Sequence, residues 1–407
     1  MAMSTDSQRE KTKAFLRKQM VVTEKKKFSL QEFIHENQQK ILISAIMVVT
    51  LLILIAGGVF VYQHFRVYTT YQVKWSAEIN NMSAQTLVSF GNGVAVVGKD
   101  GVICYDQKGA NQWSVPYDMK SPTAVVQGDY LLVYDRDGQN MVICGKDGKM
   151  GNVSTSYPVS RAEISAGGVV AAVLEDTKSS YISYYRNNGE KLEVEIQSPL
   201  ATNGYPRSIG LSPNGQQLAV SYIGINGLDS SCRVDFYDFE LGREMPNRIV
   251  SSFSYQESDT YIPVLVYTSN ENAFGVGTNQ LSFYSAANRT AIKETTVPVS
   301  GEIQKMFYND NYLGLVVEED AGMVLRVYHM NGSLQAELLQ EEIYENYGFS
   351  GKQIFMYDDS RCRIVTFDGR EKFFLDFVNG IRRMIPCGDG NSFYLTTMDM
   401  LQKITLK

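Results

Sequence analysis

Three histidines, His35, His64 and His329, are all that the 407-residue chain offers for imidazole chemistry. The first two lie before or beside a long apolar run, so a Ser-His-Asp triad or a His-based metal cluster finds no second imidazole in the body of the chain. His329 reads as a solvated turn residue. Asp135 and Asp137 in DRDGQN have the spacing of a calcium loop. The distal Glu that would complete the coordination shell is missing, and a hairpin turn is required at that point. No glycine loop is placed to cradle a phosphate. Five cysteines, Cys104, Cys144, Cys232, Cys362 and Cys387, form no CxxC pair and read as buried small hydrophobes. This set of residues predicts no catalytic group, no cofactor and no metal ion.

The elements that would position any site repeat along the chain. From Tyr71 onward a unit of four short strands recurs roughly every 37–55 residues, a period that signals a propeller. Its second strands read GVAVVG (93–98), YLLVYD (130–135), VVAAVL (169–174), QLAVSY (217–222), NAFGVG (272–277), YLGLVV (312–317), QIFMYD (353–358) and SFYLTT (392–397), which predicts eight blades. Third strands carry an aromatic followed by a turn residue: Tyr105/Gly109, Tyr185/Gly189, Tyr237/Gly242, Tyr284/Asn288, Tyr328/Gly332 and the shortened Phe367/Gly369. The aromatic is expected to pack between blades, and the Gly or Asn to supply φ > 0 at the hairpin tip. Cys144 takes the aromatic's slot in the second blade. Twenty-five Tyr and 19 Phe beside 20% charged residues suit strands. The last blade ends at LQKITL (401–406) after three strands, and KWSAE (74–78) looks like QWSVP (112–116) one period early. The strand at 71–79 is therefore predicted to close the ring.

Ahead of the repeats, residues 41–63 run without a charge for 23 residues, long enough for a helix to cross ~30 Å of hydrocarbon. Residues 1–40 hold nine Lys or Arg against five acids, whereas the first residues beyond the span offer little besides Arg66 and Lys74. The positive-inside bias predicts a single-pass protein of the cell membrane with a basic cytoplasmic tail (1–40), a span (41–63), a linker (64–70) and an extracytoplasmic propeller (71–407). Within the tail, FSLQEF (28–33) reads as a helix start, with Ser29 and Glu32 as a capping box and Phe28 against Phe33 as a staple. Lys25, Lys26 and Lys27 set topology or meet anionic lipid. The tail's +4 leaves −10 on the remainder of a chain whose net charge is −6, which argues against nucleic acid as a partner.

YDQKGANQW (105–113), with Asp106, Gly109 and Trp113, resembles the blade motif of quinoprotein-like propellers, and LSPNGQQLAV (211–220) resembles the inner hairpin of WD-repeat propellers. In organisation the whole chain is similar to a family of uncharacterised, membrane-anchored propeller proteins of Gram-positive bacteria, a domain of unknown function. That resemblance implies a host type and no activity. Quinoprotein dehydrogenases repeat their Trp signature blade after blade and often carry an adjacent cysteine pair. With only Trp75 and Trp113 and no such pair, no quinone is expected here.

The fold class read from the chain is thus an all-β, eight-bladed propeller ectodomain with one N-terminal transmembrane helix. Three segments on one face are enlarged in consecutive positions: SPLATNGYP (198–206), GINGLDSS (224–231) and FSYQESDTY (253–261). They predict a patch around blades three to five, with Tyr205, Asn226, Asp229, Tyr255, Gln256, Glu257, Asp259 and Tyr261 as candidate partner-binding residues. Carboxylates gather on the same face at Asp135, Asp137, Glu175, Asp176, Glu318, Glu319, Asp320, Asp358 and Asp359, either as turn residues or as a surface for cationic partners. The expected function is a non-catalytic binding or scaffold module that recruits an envelope protein. The alternative is a glycan-binding or glycan-processing protein using carboxylates such as Asp229 and Asp259.

Overall fold

The computed structural model describes residues 10–14, 38–79, 86–226, 229–244, 248–255 and 260–407. The chain divides into two compact units, Met1–Arg66 and Val67–Lys407.

In the first unit Gln38–Phe65 form one α-helix of 28 residues. Its segment Leu42–Val59, with a mean hydropathy of 2.7, is long and apolar enough to cross a membrane. Leu42, Ile53 and Leu54 stand among its many exposed aliphatic side chains. The predicted capping box at Ser29 and Glu32, its Phe28/Phe33 staple and the lysines at 25–27 lie outside the described residues.

The second unit is a ring of eight four-stranded antiparallel sheets, as the repeat period predicts. Each blade takes four consecutive strands except the eighth, in which Arg383–Pro386, Ser392–Thr396 and Met400–Leu406 are joined by Tyr71–Glu78. That strand runs antiparallel to the third strand of the last blade, from Tyr71 opposite Leu406 to Glu78 opposite Met400, with one irregularity between Val73 and Trp75. The ring is closed by hydrogen bonds between chain segments more than 300 residues apart, so neither end blade keeps a three-stranded edge.

Burial explains the sequence pattern. A second strand lies between two neighbouring blades and has no solvent face, so Gly93–Val97 and Ser392–Thr396 are buried along their whole length. An outer strand has one face on the neighbouring blade, and Lys191–Pro199 alternates accordingly. The core is not central: it consists of eight hydrophobic clusters, each shared by two adjacent blades. The third-strand aromatics Tyr105, Tyr185, Tyr237, Tyr284 and Tyr328 all pack into the cluster shared with the preceding blade. Phe367 lies against its own, and Cys144 occupies the same slot in blade two.

The two tryptophans act as staples of one kind. Trp113, on the outer strand of blade one, donates its indole N–H to the Lys146 carbonyl in the last hairpin of blade two, at 2.8 Å. Trp75, on the closing strand, does the same to Gln107 in blade one, also at 2.8 Å. Gly109 lies under the Trp75 ring with φ 84°, and a Cβ there would fall 2.6 Å from the indole.

The hairpin-tip rule is only partly right. Gly109, Gly189, Gly332 and Gly369 have positive φ, but Gly242 and Asn288 do not. Gly242 sits in a 3₁₀ turn, Leu241–Glu244, because blade four's last connection is longer, and the left-handed residue there is Arg248 (φ 59°). At Asn288 the side-chain oxygen closes the turn instead, accepting from the Thr290 hydroxyl at 2.9 Å. The five cysteines are free thiols; four are buried and Cys387 is partly so. Cys232 and Cys362 belong to separate clusters.

Candidate functional site

Antiparallel blades put the connections from second to third strand, and those from one blade to the next, at one end of the ring. This end is here termed the upper end. The chain enters at the lower end, where the Lys407 amide donates to the Thr70 carbonyl at 2.8 Å and Thr69 donates back to Lys407 at 3.1 Å. Tyr68 is fixed there on blade seven, its amide donating to Lys372 at 2.7 Å.

All three enlarged segments are at the upper end, but they differ in kind. Segment 198–206 contains a one-turn helix, Leu200–Asn203, stopped by Gly204 (φ 78°) before the inner strand of blade four starts at Tyr205. Segment 224–231 is ladder rather than loop. Gln217–Asn226 and Asp229–Asp238 pair without interruption through ten positions, ending at Asn226 opposite Asp229, and form a projecting β-hairpin. The sequence signal for this was present in the even alternation of SCRVDF (231–236). Segment 253–261 crosses from blade four to blade five; residues 256–259 lie outside the described part.

Two of the candidate residues flank the hairpin. Tyr205, 44% exposed, pairs with Ile223 on one strand, and the Tyr261 hydroxyl meets the Ser230 hydroxyl on the other. Tyr261 is also held by blade five, its carbonyl accepting from Thr278 at 3.0 Å. Asn226 and Asp229 are the terminal pair of the ladder. Beside them Ile225, which the sequence reading did not single out, is 70% exposed. Gln256, Glu257 and Asp259 lie outside the described residues. Tyr255 requires correction: it is 8% exposed and packs in the core between blades four and five, so it offers no contact surface. Its hydroxyl meets Tyr284 at 2.6 Å and also the Glu294 carboxylate. An aromatic beside a polar run reads as surface in sequence, whereas here its hydroxyl has a partly buried carboxylate to satisfy.

Several upper-end carboxylates are occupied by nearby donors, some within their own turns and some on neighbouring segments. Asp135 accepts from the Ser121 amide at 2.7 Å, and Asp137 takes φ 63°, so DRDGQN is a hairpin turn. Asp176 accepts from Thr177, and Glu318 from Gln304. Bonds from Arg326 and Ser300 hold the Glu319 carboxyl below the usual range. Burial works against the Asp358 carboxylate, yet Arg361 and the Ser360 and Arg361 amides outweigh it and its pKa is lowered. Asp137, Asp176 and Asp358 thus sit as turn residues, whereas Asp135, Glu318 and Glu319 are held by other segments.

The inner strands hold a carboxylate that sequence reasoning missed. Glu163, on the inner strand of blade three, lines a central cavity of about 300 Å³ together with Gln127, Tyr308 and Asp310. Burial pushes its pKa up to about 7, with Arg161 pulling the other way. Tyr308 is raised to about 12, by burial first and then by Glu163 and Asp310. At neutral pH this channel therefore holds a carboxyl poised between its two charge states. The only sequence signal was RAEI, charge alternating with apolar residues on an inner strand.

Eight blades, a terminal strand that closes the ring and indole-to-carbonyl staples between blades define a β-propeller of the quinoprotein-like kind. The chain belongs to a family of unknown function, DUF5711, whose sequence profile matches residues 64–406. No curated protein matches it. Among solved structures it is similar to BamB from Moraxella catarrhalis, with a TM-score of 0.53 and 12% identity over 83% of this chain and 100% of that one. It is also similar to apo AztD from Citrobacter koseri, with a TM-score of 0.49 and 9% identity over 76% and 93% of the two chains. Virginiamycin B lyase from Staphylococcus aureus gives 0.44 and 11% over 83% and 100%. At 12% identity the likeness to BamB speaks to the fold alone.

Proposed function

We propose that the protein is a non-catalytic binding or scaffold module, anchored by Gln38–Phe65 in the cell membrane with its tail in the cytoplasm, that recruits a protein partner outside the cell through the upper end of its propeller. The observation that carries this reading is the projecting hairpin of blade four, an elaboration the ring does not need for closure, flanked by Tyr205 and Tyr261 and tipped beside an exposed Ile225. Rigid aromatic and aliphatic area ringed by polar groups suits a protein interface. The patch lies at the opposite end of the ring from Tyr68. The basic excess of residues 1–40 supports the cytoplasmic tail.

The test is photo-crosslinking in native membranes, with a benzophenone side chain at position 205, at 225 or, as a control, at Asn331 on the lower end. One recurrent protein adduct from 205 and 225, and none from 331, is expected. Replacing residues 225–230 by an Asn-Gly turn, which keeps the blade ladder, should abolish it. Blank lanes from abundant, folded protein would sink the reading and favour the glycan-binding alternative.

A further inference from the structure

A larger cavity, of about 590 Å³, runs down the outer rim between blades three and four. One wall is Glu195–Pro199, part of the outermost strand of blade three; the other holds Arg233, Asp235, Arg248 and Ser252 of blade four. The first wall is a free β-edge. Lys191–Pro199 has nine residues, more than any other outer strand of the ring, and the blade uses only one of its two rows of backbone donors and acceptors.

The charges in this cleft are unequally satisfied. Asp235, 1% exposed, accepts from Arg233 Nε at 2.9 Å and from the Ser252 hydroxyl at 2.6 Å. Glu195 accepts from Lys191 at 2.6 Å and from Ser183 at 2.7 Å. Both acids are therefore spent. The guanidinium groups are not: among the described residues Arg233 engages only Nε and rests over the Tyr222 ring at 5.3 Å, leaving its Nη groups over. Arg248 makes one long bond, 3.4 Å, to the Phe239 carbonyl, although each guanidinium carries five donors. Arg248 also holds a left-handed φ of 59°, a conformation that an arginine adopts at a cost. Ser198, 1% exposed on the other wall, lies beside Tyr222 without completing a hydrogen bond of good geometry. The cleft thus has donors to spare beside a strand edge, and two carboxylates in its walls that would oppose a doubly charged guest.

We propose that this cleft takes an extended acidic peptide segment of a protein partner, laid along Glu195–Pro199 as a fifth strand of blade three, with one Asp or Glu carboxylate received by Arg248. Five residues of edge span roughly 17 Å, enough to specify a short linear segment. The carboxylate supplies the missing acceptor, and the backbone supplies partners for the open edge. The proposal rests on the reading of the protein as a partner-binding module and adds a second contact, on the rim.

The experiment selects a displayed library of random octapeptides against the full-length protein in nanodiscs, with Arg248→Gln as counter-target. That substitution removes one weak bond and should leave the melting curve unchanged. Enriched peptides should share an acidic residue within alternating β-forming residues. Their synthetic Glu→Gln versions should bind at least tenfold more weakly, as should versions N-methylated on alternate backbone amides. The N-methylated arm leaves the protein untouched and so decides the matter even if Arg248→Gln fails to fold. No enrichment over the counter-target, enriched peptides without an acid, or full binding by the N-methylated forms would each overturn the proposal. So would tighter binding of a phosphoserine version that inorganic phosphate displaces, which would make the cleft a phosphate site. If Arg248→Gln keeps the adducts at 205 and 225, the rim assignment fails while the scaffold reading stands. If acidic peptides bind but no adduct forms, the upper-end reading fails instead.

Discussion

Tyr255 shows how a residue's role turns on what its polar atom must satisfy. Its ring fills the core between blades four and five, and its hydroxyl serves Tyr284 and Glu294. Tyr255→Phe keeps the ring and leaves those partners short of one bond. A loss of about 1–2 kcal/mol in denaturant unfolding is expected, with crosslinks at 205 and 225 unchanged; a lost adduct with unchanged stability would restore Tyr255 to the contact surface. Glu163 makes a second residue-scale case. Its native carboxyl keeps a proton up to about pH 7, whereas the ordinary value is 4.5. Between those pH values the folded state binds a proton that the unfolded state has released, so its stability falls as pH rises through that window. The full shift corresponds to about 3 kcal/mol. Because the side chain meets the open channel, about 2 kcal/mol is the better expectation. Glu163→Gln should flatten the pH dependence between 4.5 and 7 and be the more stable protein at pH 8. Urea midpoints at three pH values check this, and parallel curves for the two proteins would refute it. Neither role was legible in the sequence, since both depend on which blade faces the side chain and not on its neighbours along the strand.

At the scale of the element, the strands were legible because their burial is periodic and local. A second strand sandwiched by two blades is buried on both faces and so largely apolar, and all eight runs from GVAVVG to SFYLTT are second strands in the structure. The projecting hairpin was less legible: Gly224, Gly227 and Asp229 look like loop chemistry, yet the ladder runs on to Asn226 and Asp229. Turn residues announce that a turn is near, while cross-strand pairing decides how far the strands reach before it. The tryptophan staples permit a prediction at this scale. Trp75 and Trp113 donate to equivalent carbonyls at the same distance, 2.8 Å, one across the closing interface and one between blades one and two. Trp→Phe at either site keeps most of the ring contact and removes the bond, so each should cost about 1 kcal/mol. Near-equal shifts in the unfolding midpoint are expected. A much larger loss at Trp75 would show that the closing interface depends on its staple more than an ordinary blade interface does.

For the whole molecule, the question is what an eight-membered ring gains from borrowing its last strand from the far end of the chain. Every blade is held by the cluster it shares with each neighbour, so stability is spread round the circle and any unmade interface frees two blade faces at once. The strand Tyr71–Glu78 contributes Trp75 and Ala77 to the cluster shared by blades eight and one, and Tyr71 packs on the cluster shared by blades seven and eight. Removing residues 71–78 should therefore lower the unfolding temperature by roughly 7 °C, the shift for a loss on the order of 5 kcal/mol in a unit of this size. It should also expose the third strand of the last blade as an edge for self-association. If closure itself is what matters, chain order should not. Lys407 and Thr70 already exchange backbone hydrogen bonds, so a permuted propeller that begins at Thr86, crosses from Lys407 to Val67 by a short glycine linker and ends at Ile79 keeps every blade interface together with Tyr68. Its melting temperature should stay within about 3 °C of the parent, because shortening that connection changes loop-closure entropy by less than about 1 kcal/mol. A permuted ring that melts as early as the truncated one would mean that the strand must arrive from the N-terminal side, held by Tyr68 on blade seven, before the ring can close.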